Sequence, residues 1–536
     1  MTDDFSPLAE AIYRQKYAMG GEDWPDTAKR VVDHVMRPYL PGLADEMTQA
    51  IVERKFLPGG RYLFATGKKL HQTQNCLLLS VDDSREGWSD LMRRITAGLM
   101  SGAGIGVVYS KLRPKGAYIN GTGGESTGPL ALMQMVNEAG RHIRQGGARR
   151  SAIWAGLHWN HPDIHEFIRL KDWSDEMKAA KEADFDAPAT MDGTNISVIL
   201  DDDFFDAYQD PDHPDHKLSH DVYDETVRHM LETGEPGFSV DIGPNAGEHL
   251  RNACTEVTSR DDNDICNLGS LNLARIESKE EMSRLVELST AFLLCGSLYS
   301  LVPYEEVAKT REKNRRLGLG LMGVGEWLAV RGKPYGPDEE LGEWLEEYEQ
   351  SGTYANFYAD MLGISRPVKT RAVAPAGTIS IIGETTSGME PMFAPAYKRR
   401  YAKGDTWVYQ YVIDGAAERL AERGIDPDSV DCAYKLAHDP ARRLEMQAWL
   451  QQYVDHGISS TLNLPAITEQ SFDDEEFGNI LMRYLPHLRG ITVYPDGARG
   501  GQPLTVVPYA EAKDWAGVEI EEVGNEEACI GGVCGV

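Results

Sequence analysis

No stretch of the sequence approaches the ~18 consecutive apolar residues of a membrane-spanning helix. The opening Met1-Thr2-Asp3-Asp4 carries neither the basic nor the apolar region of a secretory leader. A cytoplasmic, reducing setting is the expectation. Cysteine is scarce and odd in number. The seven residues Cys76, Cys254, Cys266, Cys295, Cys432, Cys529 and Cys534 are too few for a disulfide scaffold, and no C-x-x-C pair of the structural zinc type occurs. Basic residues are outnumbered: 54 Lys plus Arg stand against 84 Asp plus Glu, a formal charge of −30. That balance excludes a broad face for a nucleic-acid backbone, so any anionic ligand has to be held locally, by backbone N–H groups and a few arginines. Most of the acidic excess reads simply as solubility. No internal repeat is found.

What is present suits a globular chain with a large core: 536 residues, 41% hydrophobic and 26% charged. Pro25-Asp26-Thr27 opens a helical pattern with Val31, Val32, Val35 and Met36 on one face, and a second short helix runs through Leu43, Met47 and Ile51. Strand patterns follow around Cys76–Val81 and Ile105–Tyr109, with a helix between them from about Trp88 to Met100. Ser126-Thr127 before Pro129 predicts a capped helix, and His161-Pro162 a further one. Asn195–Leu200 and Gly490–Tyr494 read as buried strands. Alternating strands and helices place the chain in the α/β class. Beyond about Pro508 it turns acidic and poor in apolar residues, and is expected to be a tethered tail.

The chemistry-bearing segments are few. Asn252-Ala-Cys254-Thr-Glu256 sets an amide, a thiol and a carboxylate on alternate residues, which extended or loop backbone turns toward one volume. A half-buried strand with a structural cysteine is the plain alternative. Twelve residues on, Cys266 opens an apolar strand that could run back beside this segment, and Cys76 starts another buried-looking strand. Gly318-Leu-Gly-Leu-Met-Gly323 matches a dinucleotide fingerprint, but Arg311–Arg316 before it is no buried strand, so the match is a decoy. His158, His161 and His165 have metal-like spacing. Pro162 leaves the first two outside a shared helix face, and no metal site is expected. Cys295 and Cys432 lie in no motif and read as buried structural thiols.

Taken together these segments resemble the catalytic subunit of ribonucleotide reductase. The family's N-x-C-x-E finger loop is matched by Asn252, Cys254 and Glu256, and its two strand cysteines by Cys76 and Cys266. Asn314-Arg-Arg-Leu-Gly-Leu-Gly-Leu-Met-Gly323 looks like its signature, Pro375–Ser380 and Ser387–Pro391 like its phosphate region, and Cys529 with Cys534 like its reducing tail. The resemblance implies a ten-stranded α/β barrel of two five-stranded parallel halves set antiparallel, with the finger loop in its centre. Residues 1–54 would be a helical lead-in, 55–507 the catalytic barrel and 508–536 the mobile redox tail.

The same resemblance assigns roles. Cys254 would carry a thiyl radical that abstracts the ribose 3′-hydrogen, Glu256 would take the 3′-hydroxyl proton, and Asn252 would hold the substrate hydroxyls. Cys76 and Cys266 would supply protons and two electrons, and Cys529 and Cys534 would reopen their disulfide by exchange, with thioredoxin or glutaredoxin as the outer donor. Ala376, Gly377, Thr378, Ile379 and Ser380 would bind the substrate phosphates at a helix start. Specificity effectors, a dNTP or ATP, would act through loops Lys115–Gly128 and Gln145–Ser151, with Lys115, Arg149 and Arg150 as contacts, and a homodimer is implied.

Thr492-Val-Tyr494-Pro-Asp-Gly497 has one tyrosine where a radical-importing class has an adjacent pair, and no glycyl-radical motif occurs. The segment resembles the adenosylcobalamin-dependent class II, with Pro495 where that class usually has Arg and Ala253 where the finger often has Leu. The alternatives are a class I large subunit served by a separate radical-generating subunit, and a nucleotide-binding relative without turnover. The intact thiols and Glu256 speak against the latter.

Overall fold

A computed structural model describes residues 5–144, 150–184, 187–403, 406–498 and 504–521. Three helices come first. Pro7–Lys16 is capped by Ser6, Trp24–Val35 starts in a capping box between Asp23 and Asp26, and Pro41–Val52 begins at a proline that needs no N–H partner. Val31, Val32, Val35 and Met36 are all buried, so the apolar face read from the sequence packs inward.

Ten strands form one mixed sheet, here numbered in chain order: β1 Phe56–Pro58, β2 Cys76–Ser80, β3 Gly104–Val108, β4 Ile153–His158, β5 Thr194–Asp201, β6 Gly237–Asp241, β7 Asp264–Asn272, β8 Leu317–Met322, β9 Thr461–Leu464 and β10 Gly490–Pro495. Strands β2, β3, β4, β5 and β6 run parallel side by side. On one flank β6 meets β10 antiparallel, and β10 pairs with β9 in parallel. On the other, β2 meets β7 antiparallel, and β7 is parallel to β8. Strand β1 is antiparallel to β7. Parallel neighbours need crossovers. Arg85–Ser101, capped by Ser84 and ended by Gly102 at φ 109°, joins β2 to β3, and Pro129–His142 lies between β3 and β4. The fold is therefore mixed α/β with one large sheet.

Strands of the parallel run are apolar and buried on both faces, as such sheets require, and alternation sorts their side chains. Leu77 and Leu79 of β2 join the large core under the crossover helices. Cys76 and Leu78 point the other way, into a small cluster with Val108, Trp154, Ile199, Cys266 and Ala372. Leu250 and Val257 belong to that second cluster as well, so a chain segment from outside the sheet is packed against its inner face.

Some local expectations shift. The helix at Pro129 is capped by Gly128 at φ 74°, and Ser126 Oγ accepts from the Gly128 N–H instead of capping the helix itself. The chain after Pro508 stays folded as far as 521. Leu504–Val506 and Glu519–Glu521 flank a hairpin of Ala396–Lys403 and Thr406–Ile413 in a four-stranded antiparallel sheet, so the boundary expected at 508 falls within a packed unit. Among the described residues no helix is long and apolar enough to cross a membrane.

Candidate active site

The segment inside the sheet is a small hairpin. Leu250–Arg251 pairs antiparallel with Thr258–Ser259, and residues 252–257 form its tip. The tip is a turn, the loop form of the two that the sequence left open, and not the half-buried strand of the plain alternative: the Thr255 N–H donates to Asn252 O at 3.1 Å, and Thr255 sits at φ 69°. Asn252 closes the tip from inside, its Oδ1 accepting from the Val257 N–H at 3.0 Å and its Nδ2 donating to Glu256 Oε1 at 2.9 Å. The hairpin lies so close to β3 that a Cβ on Gly106 would stand 1.9 Å from Arg251 O, which explains a glycine in an otherwise aliphatic strand.

Cys254 is exposed at the tip and faces a cavity of about 570 Å³. Cys76 and Cys266, by contrast, are 2% and 0% exposed. They are direct partners in the antiparallel pairing of β2 with β7, so the Cys266 strand takes the Cys76 strand as its hydrogen-bonded neighbour, with the finger hairpin packed against both. Directly opposed residues of this kind share a face and sit about 4.5–5.5 Å apart at Cα, within the roughly 4.4–6.8 Å that a disulfide spans. Burial pushes both thiols well above their ordinary pKa, and the nearby Glu256 and Asp264 carboxylates add to the effect. Both remain thiols at neutral pH.

Glu256 is 1% exposed, and burial pushes its carboxyl up to about 7, against partial relief from Asn252 and Cys76. Cys76 Sγ makes a long contact of 3.9 Å to Oε1, and Oε2 has no hydrogen-bond partner among the described residues. One oxygen of a carboxyl whose pKa is raised is thus held, and the other has no partner among the described residues.

Across the cavity from the finger stand Pro375, Ser380, Ile381, Thr385 to Gly388 and Glu390. The helix Thr378–Gly383 starts behind Gly377 at φ 54°, Ser387 Oγ accepts from the Ala376 N–H, and Thr378 Oγ1 lies 2.6 Å from the Tyr17 hydroxyl. Of the five phosphate candidates, Ser380 lines the cavity directly, while Ala376 and Gly377 form the turn before the helix and Thr378 and Ile379 open it. Strands β4, β5, β9 and β10 supply a further wall, including Trp154, Asn195, Asn463 and Tyr494.

The other candidates lie elsewhere. Lys115 is exposed, 3.2 Å from Glu166, and Arg150 is exposed too; neither lines the cavity. Arg149, Cys529 and Cys534 lie outside the described residues. His158 is paired with Asp201, His161 with Leu112 O and His165 with Glu225, and no group of three or more His, Cys, Asp or Glu is arranged for a metal among the described residues. Gly318 and Gly320 lie within β8 itself, the reverse of a fingerprint's strand-then-turn order. Cys295 and Cys432 are buried, as expected.

Sequence reasoning missed a buried ion cluster beneath the hairpin. Glu248 takes Lys369 Nζ, Thr258 Oγ1 at 2.8 Å and Arg316 at 3.4 Å, while Asp264 takes Arg316 Nε at 2.6 Å and Ser259 Oγ at 2.7 Å. The available signal was a charged residue at the mouth of an apolar strand, Asp264 opening β7 and Arg316 just before β8.

The model of the ribonucleotide reductase barrel domain matches residues 74–234, 219–343 and 366–484. A vitamin B12-dependent ribonucleoside-diphosphate reductase of Mycobacterium tuberculosis is 27% identical across 95% of this chain and 80% of its own length. One of the same name from Thermoplasma acidophilum is 30% identical across 93% and 72%. A vitamin B12-dependent ribonucleotide reductase of Streptomyces coelicolor is 23% identical across 98% and 68%. With more than half its length under the barrel-domain model, and an exposed thiol poised over two opposed buried ones, this chain belongs to the ribonucleotide reductase family.

Proposed function

We propose that the chain reduces ribonucleotides to 2′-deoxyribonucleotides with adenosylcobalamin as its radical source. One observation carries the reading: Cys254 faces a nucleotide-sized cavity from a hairpin tip, while Cys76 and Cys266 oppose each other, sealed, behind it. Replacing the 2′-hydroxyl by hydrogen needs a radical at C3′, one base and two electrons. A Cys254 thiyl takes the 3′-hydrogen. Glu256, whose unpartnered oxygen is buried and whose pKa is about 7, takes the 3′-hydroxyl proton, and Asn252 orients the hydroxyls. Water leaves C2′. Cys76 and Cys266 give up two protons and two electrons and close a disulfide, after which the hydrogen returns from Cys254 to C3′.

The residues fit a coenzyme radical source, because the sulfur that must be reached is the exposed one, and the amides and hydroxyls of Asn195, Ser197, Asn463, Thr492 and Tyr494 on the cavity wall near it would face the adenosyl end of adenosylcobalamin. When bound, the coenzyme supplies an unpaired electron by homolysis of its cobalt–carbon bond. The phosphates fall to the Ala376–Ser380 turn and Ser380 hydroxyl, with backbone N–H groups rather than net charge attracting them.

The finer architecture follows the same reading. Isolated parallel bridges Leu319–Arg371 and Val373–Ile458 support closing the sheet between β8 and β9 into a ten-stranded barrel around the finger. Residues 1–54 form the lead-in, the barrel follows, and Cys529 and Cys534 on the terminal segment reopen the disulfide for thioredoxin or glutaredoxin. A dNTP or ATP effector at the Lys115 and Arg150 loops, in a homodimer, sets substrate choice.

The test is an incubation of the purified chain with a dithiol, an effector nucleotide and CDP or CTP, with and without adenosylcobalamin. Deoxynucleotide formed only with the coenzyme supports the reading; product formed only after a second protein is added favours a class I large subunit. Cys254→Ser should abolish turnover and leave nucleotide affinity near wild type. Residual turnover in that variant would remove the thiyl assignment.

A further inference from the structure

We infer that the buried ion cluster of Arg316, Asp264, Glu248 and Lys369 positions the finger hairpin for the reaction, with Lys369 as the residue on which the hairpin's setting depends. The inference rests on the reading of Cys254 as the radical-bearing thiol.

A pair of two-residue strands cannot fix its own place, because short isolated hairpins are marginal in water and a thiol that shuttles hydrogen needs sub-ångström placement. Its anchorage must come from its base. Glu248 lies two residues before the outgoing strand, and Thr258 and Ser259 are the returning one. Each is bonded into the cluster: Thr258 Oγ1 to Glu248 Oε2 at 2.8 Å and from Lys369 Nζ at 3.2 Å, Ser259 Oγ to Asp264 Oδ2 at 2.7 Å. The Thr258 N–H donates to His456 Nδ1 at 3.1 Å, and Gly457 N–H to Glu256 O at 2.7 Å. Arg316 spans the two sides, giving Nε to Asp264 and Nη2 to Glu248. Asp264 is two residues from Cys266 on the same strand. One cluster therefore ties the loop of the exposed thiol to the strand of a sealed one.

Such charges are an expensive way to hold a fold together. All four are buried, and apolar residues of like volume would serve stability as well or better. What ions add is direction: each bond fixes an angle as well as a distance. Glu248 is held below its ordinary pKa because Lys369 and Arg316 outweigh its burial, whereas burial draws Lys369 down to about 8 against the pull of Glu248. Removing the Lys369 ammonium leaves Glu248 Oε2 with Thr258 alone and frees the returning strand to shift.

The experiment compares Lys369→Met and Lys369→Arg in the full chain. Three quantities are read: kcat for nucleotide reduction, Kd for CDP, and the rate at which iodoacetamide labels Cys254, followed by peptide mass mapping. Lys369→Met should lower kcat at least tenfold, keep Kd within twofold and change the labelling rate at least threefold, while Lys369→Arg stays within threefold of wild type in all of them. A folded Lys369→Met with wild-type kcat and labelling overturns the inference, as does equal loss in Lys369→Arg. Should Lys369→Met fail to fold, Thr258→Val keeps every charge while losing its hydroxyl bond to Glu248, and the same readouts apply to it. If the wild-type chain reduces no nucleotide, the reductase reading falls by itself, and the Cys254 labelling rate decides the positioning role alone.

Discussion

A base that must be ionised to act, and whose pKa is pushed up to about 7 by burial, imposes a pH dependence that an ordinary glutamate would not. At pH 6 only about a tenth of Glu256 carries charge, and at pH 8 about nine-tenths, so kcat/KM for nucleotide reduction should rise about tenfold across that interval. A glutamate at its ordinary value would be almost fully ionised at both, and the profile would be flat. The assay is deoxynucleotide formation at subsaturating substrate from pH 5.5 to 8.5, with a small dithiol in excess so that re-reduction does not limit. Stability supplies a second arm with the opposite sign. Because the folded pKa lies above the unfolded one, the folded state binds more protons between about pH 4.5 and 7, so the neutral form's advantage is present at low pH and lost as pH rises through 7. The cost above pH 7 is on the order of 3 kcal/mol. Glu256→Gln should therefore lose the acidic limb together with about 10²- to 10⁴-fold in rate, yet melt higher than wild type at pH 8 and alike at pH 5. A wild-type profile flat from pH 6 to 8, or a Gln variant equally destabilised at both pH values, would refute the assignment.

Cys529→Ser should leave turnover with dithiothreitol within about twofold of wild type and abolish most of the turnover driven by thioredoxin, measured as NADPH oxidation in a coupled assay. Gly106→Ala should cost at least about 1–3 kcal/mol by overpacking, read by denaturant unfolding, because its methyl would meet the Arg251 carbonyl at 1.9 Å and only the hairpin can move away. Its catalytic rate should fall further than its stability explains.

The strands bearing Cys76, Asn195 and Gly490 were legible because each is short and dominated by aliphatic and β-branched residues, as the buried strands of such a sheet require. The crossover helix after β2 was legible from its period. The finger tip was not. Nothing in Asn252-Ala-Cys-Thr-Glu256 announces a left-handed residue, since the positive φ falls on Thr255, a β-branched side chain that the surrounding bonds hold there. The mutual position of Cys76 and Cys266 was equally hidden, because strand register is a long-range property: the partners lie 190 residues apart and their pairing is antiparallel between two otherwise parallel runs. The ion cluster escaped for a similar reason. Its four members are spread from 248 to 369, nothing in their local sequence pairs them, and only the fold makes them neighbours. The Thr406–Ile413 strand, rich in aromatic and β-branched residues, was visible in principle and overlooked.

The contrast between the sulfurs has a consequence for how the reaction can be reset. A thiol that donates hydrogen should be protonated, and burial keeps Cys76 and Cys266 that way. The same burial makes their disulfide unreachable for a folded reductant, because thiol exchange requires an attacking thiolate in line with a sulfur, and these sulfurs have 2% and 0% of their residues' surface exposed. On the proposed reading, a tethered dithiol at Cys529 and Cys534 would satisfy both demands, because its effective concentration at the disulfide would be set by the tether rather than by the outer donor. Lengthening the chain between Glu521 and Cys529 with Gly-Ser repeats should then slow thioredoxin-driven turnover gradually, as effective concentration falls with tether length, while leaving single-turnover yield from the pre-reduced enzyme unchanged.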